Sequence, residues 1–222
     1  MSGNNTEDAI IRDYVGRWEN EFGATRGEDC FKQCVGGMSA VRLKLIDEEQ
    51  VKKLVQPLLY KWGRMGRVLG RTELSGWQAN LAETIRKNSQ RLERFRLAIL
   101  EDADLPAEHA NIISCYEEFK RVVYQIAAAK VLHQICPSFF PLWDNQICEG
   151  VTKELAAKGK AAKTNVAFCG EHYWAFMSGV QDFARRKRDL LQQLSVQYKR
   201  GRLKILDEFF VWAAGRPLSL FL

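Results

Sequence analysis

Between residues 112 and 126 the apolar side chains Ile112, Cys115, Tyr116, Phe119, Val122, Val123 and Ile126 recur three or four positions apart, and the chain then stays apolar on nearly every side up to Pro137. A period of about 3.6 residues puts such side chains on one face of a helix, and a segment apolar all round has to be enclosed by other elements. Any fold open to this chain therefore wraps a central helix or pair of helices. The same spacing runs through Val51, Leu54, Val55, Leu58, Leu59, Trp62 and Met65, through Trp77, Leu81, Ile85, Leu92 and Phe95, and through Phe176, Val180, Phe183, Leu190, Leu191 and Leu194. Ile10, Tyr14 and Trp18 predict a first helix that stops at Gly23, "LKILDEFFVWAAG" predicts a last one, and residues 145–158 another. Pro57 predicts a kink or restart, Pro106 a helix start and Pro137 a stop. Val41, Leu43 and Leu45 alternate after Gly36 and Gly37, so a short hairpin near 31–46 stays open beside helix. The class is all-α: one irregular multi-helix domain, with an N-terminal part at 1–104 and a C-terminal part at 105–222 packed together.

Charge and cysteine usage narrow the partners. A net charge of +6 permits DNA as an anionic partner. The start "MSGNNTEDAI" is polar and acidic where a secretory signal is basic and then apolar, and no run of apolar residues is long enough to span a membrane. The expectation is a cytoplasmic protein whose six cysteines are reduced thiols. "CFKQC" (Cys30, Cys34) has neither zinc-knuckle nor thioredoxin spacing. His133 with Cys136 and Cys169 with His172 offer nitrogen and sulfur donors, but His and Cys three apart on a helix are more often core than ligand, so neither metal nor cofactor is expected. "KGKAAKT" (158–164) lacks the glycine spacing and the Ser or Thr of a phosphate-binding loop. The basic runs "RRKR" (185–188) and "YKRGRLK" (198–204) make Arg185, Arg186, Lys199, Arg200 and Arg202 candidate phosphate contacts. Consecutive helical residues fan around the axis, so a plain solvated surface is the competing reading.

The stretch "AAAKVLHQICPSFFPLWDNQI" (127–147) stands apart. It places Lys130 among alanines, where the charged amine is disfavoured and nucleophilicity favoured. His133 shares a helix face with it. Beyond Pro137, Phe139, Phe140 and Trp143 wall in Asp144, whose carboxylate suits either a helix N-cap or a base that stabilises a developing cation. Asn145 follows as a further polar candidate.

These residues resemble a motif, Lys-x-Leu-His followed by Pro-x-x-Phe-Pro-x-x-Asp, of bacterial proteins of unassigned role whose helical fold is similar to that of helix-hairpin-helix DNA glycosylases. "LDEFFVW" (206–212) resembles the closing stretch of that group. The resemblance implies a glycosylase-like fold, with Lys130 in the lysine position and Asp144 in the aspartate position. It further implies base excision from damaged or modified DNA, with or without a lyase step. A flipped nucleotide would be held by His133, Phe139, Phe140, Trp143 and Asn145. The chain departs from the hairpin pattern in "QIAAAK", where alanines stand in place of the glycines that let backbone N–H groups approach a phosphate. A non-catalytic helical module that binds nucleic acid or protein, with the same residues as cap and core, is the alternative.

Overall fold

The computed structural model describes residues 3–22, 26–71, 74–144 and 169–213, of which 82% are helical, with no strand among them. The chain is all-α. Its contacts group it into two compact units, Thr25–Phe140 and Met1–Ala24 with Pro141–Leu222. That grouping does not follow a division at residue 104, because helices on both sides of it, Trp77–Lys87 and Leu105–Val123, pack on one another inside the first unit. The helix expected at 145–158 lies outside the described residues.

In the unit Thr25–Phe140, α2 (Arg26–Ser39) occupies the place where a hairpin was open. No strand forms there. Leu43–Leu45 is a single 3-10 turn that buries Leu43 and leaves Leu45 exposed. Gly36 and Gly37 are helical, and the reason is packing rather than turning: a Cβ on Gly37 would meet Leu54 Cδ2 at 2.6 Å. Gly37 marks a close helix approach, whereas a Cβ on Gly36 would meet nothing within 4 Å.

The segment α3 (48–62) starts at Asp47, whose carboxylate accepts from Gln50 N while the Gln50 side chain accepts from Asp47 N, a capping box. Pro57 does not restart it, since helix runs without a break through 48–62. A proline removes one backbone donor and its ring crowds the carbonyl four residues back. The chain absorbs this by widening into π-helical turns on both sides, Val51–Val55 and Leu58–Trp62, so that Gly63 N donates to Leu58 O at 2.7 Å. After α4 (Gly66–Leu69), Gly76 takes φ 77° and opens α5 (Trp77–Lys87). The helix foreseen from residue 75 onward is interrupted at Asn88, whose amide donates to Thr84 O at 3.0 Å and to Glu118 Oε2 at 2.9 Å, before α6 (Ser89–Leu97) begins.

The central pair is α7 (Leu105–Val123), capped by Asp104 with Pro106 in its first turn, and α8 (Gln125–Ile135). One residue, Tyr124, separates them, at φ 63° and ψ 171°, a conformation glycine adopts without strain and tyrosine does not. Ala127, Ala128, Ala129, Val131, Leu132 and Ile135 are all fully or almost fully buried, as their all-round apolar pattern requires. Gln134 is the one amide in this face, and its Nε2 ties two neighbours together by donating to Cys34 O at 3.0 Å and Leu54 O at 2.9 Å. Replacing Gln134 by leucine removes both donors from buried carbonyls and is expected to lower stability by about 1–3 kcal/mol in urea unfolding.

In the other unit, α1 (Gly3–Phe22) packs on α10 (Arg188–Tyr198) and α11 (Arg202–Ala213), and α9 (Gly170–Arg186) adjoins them. Phe176 and Phe183 from α9 meet Phe209 and Phe210 from α11 in an aromatic core, with Tyr173 and Val180 of α9 buried as well.

Candidate functional site

The distinctive stretch divides between the two units: Lys130 and His133 lie on α8 in Thr25–Phe140, and Trp143 and Asp144 lie in the unit made of Met1–Ala24 with Pro141–Leu222. Its side chains take contrasting positions. His133 is 1% exposed, with Nδ1 2.8 Å from Phe140 O and its ring stacked on Phe31 at 5.8 Å. This is a core histidine that pins the loop after the helix.

Phe139 stacks on Phe95 with ring centroids 4.5 Å apart, and Phe140 meets the same ring edge-on at 5.3 Å. Both are essentially inaccessible. Phe139 borders a hollow of about 180 Å³ lined also by Arg94, Ala98 and Asp104. Ligand pockets run to about 300–1,000 Å³, so this hollow is too small for a flipped nucleotide. Trp143 is 1% exposed and wedges between Tyr173 and Phe176, at 5.5 and 4.8 Å. These four residues, expected at the substrate, are core in this structure. The sequence signal misled because aromatics in a proline-bounded loop look like a stacking platform whether they face a cleft or plug a core. Asn145 lies outside the described residues.

Lys130 and Asp144 differ from these neighbours. Lys130 is half-buried, with Nζ 4.7 Å from the Trp62 ring centroid in a cation–π contact. Asp144 is half-buried at the end of the run 141–144, which is neither helix nor strand. That run is fixed from behind, because Leu142 and Trp143 are buried and the Tyr173 hydroxyl donates to Pro141 O at 2.9 Å.

The candidate phosphate contacts also separate. Arg185, Arg186 and Lys199 are exposed and Arg202 is half-buried. Arg200 is not a surface group: its side chain is 2% exposed, its Nη1 pairs with Glu208 at 2.8 Å and its Nη2 with Glu19 at 2.7 Å. Lys204 joins the same cluster through Glu208 at 3.0 Å and Asp207 at 3.3 Å. Lys187, in the middle of "RRKR", is likewise committed to Glu7 and Asp8 at 2.7 and 2.9 Å. Burial and the neighbouring Glu208 and Asp207 carboxylates push the Tyr14 hydroxyl well above the usual phenol range. Asp207 and Glu208, three and four residues after Lys204 in "RGRLKILDE", were the available sequence signal for this burial.

The nitrogen and sulfur donors considered for a metal do not form a cluster. Cys136 donates to Leu92 O at 3.4 Å, while Cys169 Sγ lies 3.4 Å from His172 Nδ1 in the other unit. Among the described residues no group of three or more His, Cys, Asp or Glu side chains is placed to hold a metal, and no helix is long and apolar enough to cross a membrane. The chain matches no protein-family model, no curated protein and no solved structure.

Proposed function

We propose that this chain acts on damaged or modified DNA by base excision. Asp144 is the carboxylate that supports the cationic sugar or activates water, and Lys130 the amine that binds phosphate or attacks C1′. One observation carries the reading: over 127–144, Lys130 and Asp144 are the ionisable side chains that reach solvent, while His133 and Cys136 are enclosed. A stretch that encloses its other ionisable groups and leaves an amine and a carboxylate accessible, one in each unit, suits chemistry on an external substrate. The test is a panel of duplexes, each with one damaged or modified base, incubated with the protein and examined for base release, with borohydride added to trap any amine adduct. Release from at least one duplex is expected. The second reading, a helical nucleic-acid-binding module without chemistry, draws on the burial of Phe139, Phe140 and Trp143, which removes them as a stacking platform. Binding without release across the whole panel would select it.

Both readings require phosphate contacts, and the exposed cations supply them. Duplex binding is expected at low salt and is expected to fall steeply as salt rises, because each neutralised phosphate releases counterions. Charge reversal at Arg185, Arg186 and Lys199 should weaken binding to all sequences alike and flatten the salt slope by about 0.9 per lost contact. Reversal at Arg200 should instead unfold the unit. Salt-independent affinity, or none at about 50 mM salt, would remove DNA as the partner.

A further inference from the structure

Cys30 and Cys34 lie one turn apart on α2 (Arg26–Ser39), with their sulfurs 3.9 Å apart. Cys30 is half-buried and Cys34 is 5% exposed. They face the widened helix around Pro57: Cys30 Sγ lies 3.5 Å from Pro57 O, and the Leu58 backbone and Lys61 charge act on Cys34.

Two thiols in contact would ordinarily suggest a disulfide. Helix geometry opposes it, because Cβ atoms one turn apart are about 5–6 Å from each other, whereas a disulfide needs them within about 3.5–4.5 Å. An inserted atom with long bonds to sulfur fits better. With sulfur bonds of about 2.3 Å, the length found at zinc, one atom reaches both sulfurs, whose 3.9 Å separation is less than twice that bond. Zinc itself takes four ligands, and no third side chain joins this pair among the described residues. Thiolates select soft centres, and the centre that fits is one that two sulfurs satisfy.

We infer that Cys30 and Cys34 form a bidentate dithiol site for a soft, thiophilic centre of low coordination number, of the class of trivalent arsenicals. Burial and the adjacent Cys30 thiol push Cys34 up to about 12, so little thiolate is present near neutrality. Condensation with an arsenic–oxygen group does not require thiolate in advance. Phenylarsine oxide and two thiols give one arsenic bonded to both sulfurs and one water, the two thiol protons leaving on the arsenyl oxygen, with arsenic trivalent throughout.

The test uses the whole chain, reduced, with one equivalent of phenylarsine oxide and an excess of a monothiol competitor. Cleavage after Lys32 separates the two cysteines into peptides 27–32 and 33–42. The expected result is one phenylarsenic per chain, joining those two peptides by mass, released by 2,3-dimercaptopropanol and at least tenfold weaker in Cys30→Ala. That variant changes the half-buried member of the pair, and its fold is checked by circular dichroism. The peptide linkage in the native chain needs no variant at all. An unchanged mass in the presence of the monothiol, a link between any other pair of cysteines, or equal retention by Cys30→Ala would each overturn the inference.

Discussion

Replacing Asp144 by asparagine is expected to leave the protein folded, with stability within about 1 kcal/mol of the native chain, and to reduce base release by roughly a hundredfold or more. The two effects separate because different groups produce them. The run 141–144 is held by buried Leu142 and Trp143 and by the hydroxyl of Tyr173 on Pro141 O, so the backbone keeps its place when the side chain changes. Asparagine retains an oxygen able to accept a hydrogen bond but carries no charge to oppose an oxocarbenium-like sugar. Lys130→Ala grades the mechanism: loss of borohydride trapping with base release retained would assign the amine to a lyase step, and loss of both would place it at the sugar.

The largest stability effect is expected at Glu208. Its side chain is fully buried and holds two cations, Arg200 at 2.8 Å and Lys204 at 3.0 Å, themselves 2% and 4% exposed. Arg200 keeps Glu19 and Lys204 keeps Asp207, but removing the carboxylate they share takes a negative charge from a buried cluster where water does not reach, so Glu208→Ala should cost about 3–5 kcal/mol in guanidinium unfolding. Replacing Arg200, Lys204 and Glu208 together by apolar residues of similar size should cost far less, because the desolvation of all three ions disappears with them. A single variant that loses under about 1 kcal/mol would mean the cluster is hydrated in solution.

Much of the architecture could be read from apolar spacing alone. The stripes on 51–65, 77–95 and 112–135 became helices whose striped residues are largely buried, because a helix face of that composition has no other stable place. The helix start at Pro106 was equally visible, since a proline acts locally; the cap from Asp104 was not read from the sequence. What stayed hidden depends on distant partners. The glycines at 36–37 looked like a turn because the neighbour that crowds Gly37, Leu54, lies in another helix. Pro57 looked like a break because nothing in the sequence states that the flanking turns can widen. Asn88 gave no sign of interrupting a helix, since its partner Glu118 is thirty residues away. Within the candidate site, Lys130 and Asp144 could be singled out by type and setting. The fate of Phe139, Phe140, Trp143 and Arg200 could not, because an aromatic or an arginine serves a surface or a core equally well until its neighbours are known.

The most direct measurement sets single-turnover base release against unfolding free energy for two variants, Asp144→Asn and Trp143→Phe. If Asp144 carries the chemistry and Trp143 only supports it, the two fall on opposite sides. Asp144→Asn should be nearly as stable as the native chain and inactive. Trp143→Phe should lose about 0.5–3 kcal/mol yet release base at close to the native rate while folded. Native-like release by Asp144→Asn, or its unfolding, would contradict the assignment and make the carboxylate a structural group.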